Sequence, residues 1–430
     1  MARSWLDIDP SSDFSLANIP FGIISTPDDP SPHVGIAIGT YVLDLKVLAD
    51  GIGGWNLLPY GGHESNPKVF AQPTLNAFAQ LGRAVHRHVR ERIQDLLSEN
   101  TTHPDLLKNN AELREKALVP QQRVQMHLPM AIGDYTDFYA GYHHAYAVGV
   151  MFRGPQNALQ PNYTHLPVGY HGRASSIVVS GTPVRRPVGQ ILLDPKADPK
   201  QPTVAPSRRL DIELELGCFI TKSNPLSQPV GIDEAEEHVF GYVLLNDWSA
   251  RDIQTWEYVP LGPFNGKNFA TTISPWVVLA DALEPFRAKG IENPTPVQGY
   301  LKEKRGETVY DIQLEVDLTT PEGNTTTVTK TSGKNLMWSF PQMIAHHTLG
   351  GCPLRPGDLL GSGTISGPVP EQSGSLLELS EGGKREIQLN GGNETRTFLK
   401  DGDTVTLRGF CVGKEGERVG FGECTGRVQG

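Results

Sequence analysis

The chain has 430 residues, of which 38% are hydrophobic and 20% are charged, and its formal net charge is -10. This length allows two or three domains with a large core, and the composition is that of a globular protein. The negative charge argues against a nucleic-acid partner, because phosphate binding needs a basic surface. No apolar run reaches the roughly 20 residues of a membrane span. With no signal-peptide core and no CxxC pair, we expect a cytoplasmic protein with reduced thiols.

The N-terminal part of the chain is predicted to form a small β-barrel or sheet followed by a helix. Strand-like segments lie at 21–26 and 34–45. Between 74 and 100, apolar residues recur every three or four positions, which is typical of a one-sided helix. We expect Thr74 to cap this helix and its His residues, His86 and His88, to lie on the wet face. We place the domain boundary near residue 125.

Short strands and turns dominate the second predicted domain, which we place at residues 126–430. The 46 glycines and 34 prolines of the chain favour a turn-rich, mainly β architecture with few helices. Helices are expected only around 139–152 and 340–351. The predicted strands lie at 175–184, 212–220, 238–247, 274–280, 311–318 and 403–410. The sequence therefore predicts a mainly β fold of the α+β class.

Three acids alternate with apolar residues in the segment RRLDIELELGCFI. In a β-strand, Asp211, Glu213 and Glu215 would share one face and repel each other when ionised. The segment 311–318 shows the same alternation before a turn at 321–324, which is typical of a solvent-exposed hairpin. Alternation alone therefore leaves open whether Glu213 and Glu215 bind a metal or face water.

Polar residues gather in places where a purely structural role would favour apolar ones. Each has a structural explanation when taken singly: Asp247 can cap a turn, and the adjacent His143 and His144 point to different sides of a helix. Together they supply many oxygen ligands, which favour Mg²⁺ or Ca²⁺ over zinc. The four segments in which these polar residues gather are 132–154, 208–220, 244–276 and 355–380.

Five longer motifs identify a family resemblance that runs over nearly the whole chain. The motifs are IGDYTDFY, LPVGYHGRASSIVVSGTP, LNDWSARDIQ, FATTISPW and GSGTISGP. In this order they closely resemble the fumarylacetoacetate hydrolase family. The resemblance implies a small SH3-like N-terminal domain, a larger C-terminal β-sandwich roll that carries the site, and a homodimer. It also implies hydrolysis of the C–C bond of 4-fumarylacetoacetate to fumarate and acetoacetate, the last step of tyrosine and phenylalanine breakdown, with Ca²⁺ or Mg²⁺.

The resemblance also assigns roles to residues of this sequence. It implies that the divalent cation is bound by Asp137, Glu213, Glu215 and Asp247, while Asp211 is left as a structural group. The general base falls on His144, oriented by Glu378. The groups around the developing oxyanion are Arg251, Gln254 and Lys267. The substrate-contacting positions are Tyr139, Arg153, Tyr170, Gln254, Tyr258 and Thr364. A second metal position falls on Lys267 and Thr271, beside Ala270, where the family pattern leads us to expect Gly.

Two other readings remain open at this point. One is an acylpyruvate hydrolase, decarboxylase or isomerase on the same metal-binding roll. The other is a cation-binding β-sandwich that acts as an adhesion or scaffold module. A module of that second kind would need the carboxylates but neither a base such as His144 nor an oxyanion cluster.

Overall fold

The computed structural model describes residues 3–52, 57–58, 67–390 and 394–430. In the N-terminal part, five strands form one antiparallel sheet in the order β4-β3-β2-β1-β5. The strands are β1 (Phe21–Ser25), β2 (His33–Ile38), β3 (Tyr41–Asp44), β4 (Leu118–Pro120) and β5 (Gln125–His127). The α-helices of this part are α1 (Leu45–Gly51), α2 (Asn76–Ala79), α3 (Arg83–Leu97) and α4 (Ala111–Ala117).

The helix predicted at 74–100 is divided into α2 and α3. Gly82 interrupts it with a φ of +85°, a conformation that glycine adopts without strain. Thr74 does not cap α2, because the residue before the helix is Leu75 and no side chain caps it. The prediction for His86 is wrong: it is buried and its Nε2 donates to the Phe78 carbonyl at 2.9 Å. A helical pattern could not show that a second layer of protein covers this face of α3.

The remaining elements form the larger, C-terminal part. Its first strands are β6 (Tyr135–Phe138), β7 (Gly169–Gly172), β8 (Ile177–Val179), β9 (Val184–Arg185), β10 (Val188–Leu192), β11 (Pro202–Pro206), β12 (Leu210–Asp211), β13 (Leu214–Ile220), β14 (Val239–Asp247), β15 (Ser249–Ala250), β16 (Thr271–Ile273) and β17 (Val278–Leu279). They are followed by β18 (Arg287–Ala288), β19 (Val309–Tyr310), β20 (Gln313–Thr319), β21 (Thr325–Ser332), β22 (Leu359–Gly361), β23 (Ile387–Gln388), β24 (Thr395–Arg396), β25 (Thr404–Val412) and β26 (Arg418–Gln429). The α-helices are α5 (Tyr142–Arg153), α6 (Ile232–Ala235), α7 (Arg251–Glu257), α8 (Ala280–Leu283), α9 (Phe340–Thr348) and α10 (Leu376–Leu379).

An eight-stranded mixed sheet lies at the centre of the molecule. It runs in the order β7-β6-β22-β13-β14-β16-β8, with β17 also paired to β14. One face packs into the core of the N-terminal part through Phe219, Val243 and Leu245. The other face, with Leu216 and Leu244, packs against the five-stranded sheet β21-β20-β25-β26-β9. Because both faces are covered, every residue of β13 and β14 is buried, whatever its polarity.

This architecture confirms the predicted mainly β, α+β fold, including the helices expected around 139–152 and 340–351. The alternating segment 311–318 forms the hairpin β20–β21 as predicted. Its acids are not all washed by solvent, however, because Asp317 is buried and paired with Arg408. Among the described residues, no helix is both long and apolar enough to cross a membrane.

The N-terminal sheet contains a buried ionic pair with a defined pH dependence. His33 Nδ1 donates to the Ser31 carbonyl at 2.7 Å, so Nε2, which lies 2.8 Å from the Asp44 carboxylate, carries a proton only in the charged ring. Burial lowers the pKa of His33, but the Asp44 carboxylate outweighs it and the net pKa is raised. A raised His pKa contributes stability that is present below about pH 6.5 and is lost as pH rises through the folded-state pKa.

We predict that Asp44→Asn destabilises the protein by about 1.5–3 kcal/mol at pH 5.5, the range for a hydrogen bond to a charged group. At pH 8.5 the loss should be much smaller, because neutral His33 no longer attracts Asp44. Asparagine retains the acceptor for the Val47 N–H that caps α1. Denaturant unfolding of both proteins at the two pH values measures the effect, and an equal loss at both would contradict it.

Candidate functional site

Four buried carboxylates converge at one end of the central sheet. Asp137, Glu213, Glu215 and Asp247 each offer an oxygen, and these oxygens lie within 4.8 Å of one another. The sheet register produces this cluster, because β22 lies between β6 and β13, and β14 pairs with β13 on the other side. Glu213 itself lies between β12 and β13, so the strand predicted at 212–220 begins only at Leu214.

The pKa values of these acids show opposite environments within the one cluster. Burial, and then the charge of Asp247, raises the pKa of Asp137 to about 8. Burial and the neighbouring acids also raise the pKa of Glu215. Burial would raise the pKa of Glu213 as well, but Lys267 and Arg251 outweigh it and lower this pKa to about 2. One side of the cluster is therefore neutralised by protein cations and the other is not.

The unneutralised side fits a hard divalent cation. Asp137 Oδ1 and Glu215 Oε1 are buried and have no hydrogen-bond partner among the described residues. Such oxygens are costly to bury unless something positive meets them. The donor set consists of carboxylates with no thiol or imidazole, which suits Ca²⁺ or Mg²⁺.

Two cations hold the other side of the cluster. The Lys267 ammonium pairs with Glu213 and, at 2.8 Å, with Asp247. The Arg251 guanidinium donates through Nε to Asp211 at 2.7 Å and through Nη1 to Glu213 at 2.8 Å. Asp211 also accepts the backbone N–H groups of Leu376 and Leu377, so it lies outside the cluster and positions Arg251.

An imidazole–carboxylate pair lies beside the cluster. His144 Nδ1 lies 2.6 Å from Glu378 Oε2. Burial alone would raise the pKa of Glu378, but the interaction with His144 outweighs burial, so this pKa is lowered. A carboxylate only accepts, so Nδ1 carries the proton, and in the neutral ring Nε2 has the lone pair. Nε2 lies 4.0 Å from Glu213 Oε1 and therefore faces the acids.

Two serines that our sequence interpretation did not single out hold Glu378 in place. Ser366 and Ser375 donate to Glu378 Oε2 at 3.0 and 2.7 Å. Ser375 is also the N-cap residue of α10 and accepts the Glu378 N–H. The S-x-x-E spacing is the signature of a helix start, and this pattern could have indicated the pair.

The helix that carries His144 begins against the loop that follows β22. A Cβ at Gly141 would lie 2.0 Å from the Thr364 carbonyl oxygen, so only glycine allows this approach. The Tyr139 ring meets the His144 ring edge-on, with 5.5 Å between centroids. Tyr139, His144 and the buried Thr364 are thereby brought together on one side of the acids.

The other predicted residues fall into two groups. Tyr170 and Thr271 donate to Asp247, both at 3.0 Å, and Gln254 accepts from Arg251 at 3.2 Å. Arg153 is exposed and donates to backbone carbonyls of its own turn, and Tyr258 is 44% exposed at the end of α7. These two side chains make no hydrogen bond to the acids within the described part of the chain.

A cavity of about 270 Å³ opens onto the Asp247 side of the cluster. Its wall includes Asp247, Lys267, Tyr170 and Tyr135. Tyr135 was missed by sequence reasoning, although its buried hydroxyl has no hydrogen-bond partner in the described residues. Its position in β6, two residues before Asp137, places both side chains on the same face and could have indicated it.

Fold and site together define an α+β protein with a buried carboxylate centre suited to a divalent cation. Comparison with known proteins gives the family. Residues 135–429 match the model described as the fumarylacetoacetate (FAA) hydrolase C-terminal, and residues 17–129 match the fumarylacetoacetase N-terminal model. The chain belongs to the fumarylacetoacetate hydrolase family and is a hydrolase.

Individual relatives are similar over nearly their full length. The chain is 60% identical to a fumarylacetoacetase of Aspergillus fumigatus, covering 99% of this chain and 98% of the relative. It is 49% identical to the fumarylacetoacetase of Homo sapiens, with the same coverage of 99% and 98%. A solved fumarylacetoacetate hydrolase of Exiguobacterium antarcticum shares the fold, with a TM-score of 0.54, 15% identity and coverage of 96% and 99%.

We predict that Glu215→Gln weakens Ca²⁺ and Mg²⁺ binding by at least about 100-fold, since even residues behind metal ligands cost 10–100-fold. The fold should survive, because glutamine can still accept the Gly363 N–H that Glu215 Oε2 receives at 3.0 Å. Titration calorimetry measures the affinity, and the melting temperature of the cation-free protein checks the fold. Glu315→Gln, on the hairpin strand with the same alternation, is the matched control. Unchanged affinity in Glu215→Gln would remove this residue from the metal site.

Proposed function

We propose that the protein hydrolyses fumarylacetoacetate to fumarate and acetoacetate. The observation that carries this proposal is the 2.6 Å His144–Glu378 pair, with the free Nε2 turned toward four converging carboxylates. A binding or scaffold module would need the acids but no oriented imidazole. The full-length similarity to proteins named fumarylacetoacetase supports the choice of substrate within the family.

We propose Asp137, Glu213, Glu215 and Asp247 as the residues that hold Ca²⁺ or Mg²⁺. A cation bound there supplies Lewis acidity, which polarises the diketone and stabilises negative charge on its oxygens. Ligation of a second cation at Lys267 and Thr271 stays a prediction. Asp247 and Glu213 raise the pKa of Lys267 despite its burial, so the ammonium is charged and acts as a cation itself.

His144 is the proposed general base. Glu378 accepts the Nδ1–H, which fixes the ring and leaves Nε2 to take a proton from the attacking water. The water oxygen adds to the fumaryl carbonyl carbon, and the C–C bond to the acetoacetate half then breaks with its electron pair. The proton taken by His144 goes to the carbanion carbon of the acetoacetate half, and the new carboxyl group on the fumaryl half loses its proton. One water is thus consumed, and acetoacetate, fumarate and one proton leave.

Arg251, Gln254 and Lys267 are the proposed donors to the developing oxyanion. Arg251 Nη2 is buried and has no partner among the described residues, so it is available to a new acceptor. Asp211 and Gln254 fix the guanidinium at 2.7 and 3.2 Å, so little reorganisation is needed when charge develops. The proposed substrate contacts are Tyr139, Arg153, Tyr170, Gln254, Tyr258 and Thr364.

We also propose a cytoplasmic homodimer that acts in tyrosine and phenylalanine breakdown. An exposed apolar segment after α7 supports the dimer, with Val259 at 67% and Leu261 at 95% exposure. Side chains of this size are rarely left clustered in water unless another surface covers them.

Fumarylacetoacetate should lose its diketone absorbance when the protein and Mg²⁺ or Ca²⁺ are added. A chelator should stop the reaction, and added cation should restore it. Acetylpyruvate should be turned over much more slowly in the same assay. Faster cleavage of acetylpyruvate would favour the acylpyruvate hydrolase reading, and no cleavage of either diketone with cation present would defeat the proposal.

We expect His144→Ala to lower kcat by about 10²–10⁴-fold, the usual contribution of a positioned base, while cation affinity stays within a few fold. His143 is the matched control, because it lies one residue earlier on α5 and its ring packs against Tyr142. His143→Ala should therefore keep most of the activity. A dead His143→Ala beside an active His144→Ala would move the base to the neighbouring ring.

A further inference from the structure

The wall of the cavity beside the acid cluster includes a positive side chain to which no role has been assigned. Arg173 lines it, together with Tyr170, Phe264 and Lys267. His144, Glu378, Arg251 and Tyr139 are not part of its lining. The cavity therefore approaches the acids from the side of Asp247, whereas the imidazole approaches them from the side of Tyr139.

Arg173 differs from Arg251 in having no acid partner among the residues that the structure describes. Its Nε donates to Ser175 Oγ at 2.8 Å, which orients the guanidinium. The terminal N–H groups make no hydrogen bond within the same described residues. Guanidinium groups bind carboxylates through two parallel hydrogen bonds. An oriented guanidinium with no acidic partner, such as that of Arg173, is therefore suited to a carboxylate ligand.

The charge of the centre explains why such a residue is needed. The charges of the four converging acids are matched by Arg251, Lys267 and a divalent cation together, so the centre has no positive charge left over for the end groups of a substrate. Fumarylacetoacetate carries two carboxylates of its own, one at each end. A further cation in the cavity wall is therefore suited to pair with one of these carboxylates.

The cavity walls indicate which end of the substrate enters it. Two aromatic residues, Tyr170 and Phe264, are among those that line this space of about 270 Å³. The fumaryl half is flat because its double bond is conjugated with the carbonyl and the carboxylate, and flat groups pack well on aromatic rings. The acetoacetate carboxylate then lies on the opposite side, toward Arg153, whose charge acts on Tyr139.

We propose that Arg173 binds the fumaryl carboxylate and is a specificity-determining residue for dicarboxylic diketones. This inference rests on the proposed function and adds to it a second anchoring point, with Arg153 serving the acetoacetate end. Arg173 acts on binding and not on the chemical step, because its cavity does not include His144.

The test uses the full-length protein with Mg²⁺ and two diketones: fumarylacetoacetate, and an analogue that lacks the fumaryl carboxylate. Arg173→Gln should raise KM for fumarylacetoacetate about tenfold to hundredfold, the range for a hydrogen bond to a charged group, with little change in kcat. KM for the analogue should be the same in the wild type and the variant. Arg173→Lys should recover part of the loss.

Arg123→Gln is the matched control, since it removes one exposed positive charge from the N-terminal part, where Arg123 pairs with Asp28. It should leave both KM values unchanged. Equal KM increases for the two diketones in Arg173→Gln would show a structural role, and no increase for either would show no role. Both results overturn this inference while leaving the proposed function intact. A wild-type protein that cleaves neither diketone overturns both.

Discussion

The mutual repulsion of four buried carboxylates is the constraint on which the rest of this structure depends. Ionised acids within 4.8 Å of one another in a protein interior are unfavourable unless positive charge is supplied. Lys267 and Arg251 neutralise Glu213, and Lys267 also pairs with Asp247. Asp137 and Glu215 are left uncompensated, and their raised pKa values show the cost. The centre is thus half neutralised by the protein and half prepared for a cation.

The position of the central sheet turns this constraint into a site. Because its two faces are covered by separate cores, the strands that carry the acids contact almost no water, and the electrostatic interactions at their ends are strong. The same burial fixes the approach of α5 through the contact between Gly141 and the loop after β22. The imidazole, the guanidinium of Arg251 and the acids are therefore held by backbone packing and not by flexible surface loops.

Much of this could be predicted from the sequence, because the motifs are long and their order is preserved. The mainly β fold, the convergence of the four acids and the neighbourhood of His144 and Glu378 all follow from that resemblance. Local patterns were weaker guides. The alternation at 208–220 and at 311–318 is the same, yet Glu215 is fully buried in the centre whereas Glu315 is only partly buried and pairs with Lys330.

The errors have one physical cause. His86 and Asp317 are polar residues at positions that periodicity assigns to solvent, and tertiary structure buries both. His86 packs against Phe78 and Phe240, whereas Asp317 is covered by Thr327 and Arg408 from the neighbouring strands. Periodicity reports the geometry of a single element and contains no information about what covers its polar face. Tyr135 was missed for a related reason, since its unpartnered hydroxyl becomes visible only when the strands beside β6 are in place.

The N-terminal sheet and helices cover an apolar face of the C-terminal part of the molecule. Phe219, Phe240 and Val243 lie on the face of the central sheet that packs against the N-terminal part, and they are buried in the core that they form with it. A fragment that begins after residue 129 would expose a wide apolar surface on the other face of the strands that carry the acids, and such surfaces favour aggregation. The two regions matched by the family models therefore share one core, and the N-terminal region shields apolar residues of the C-terminal region from water.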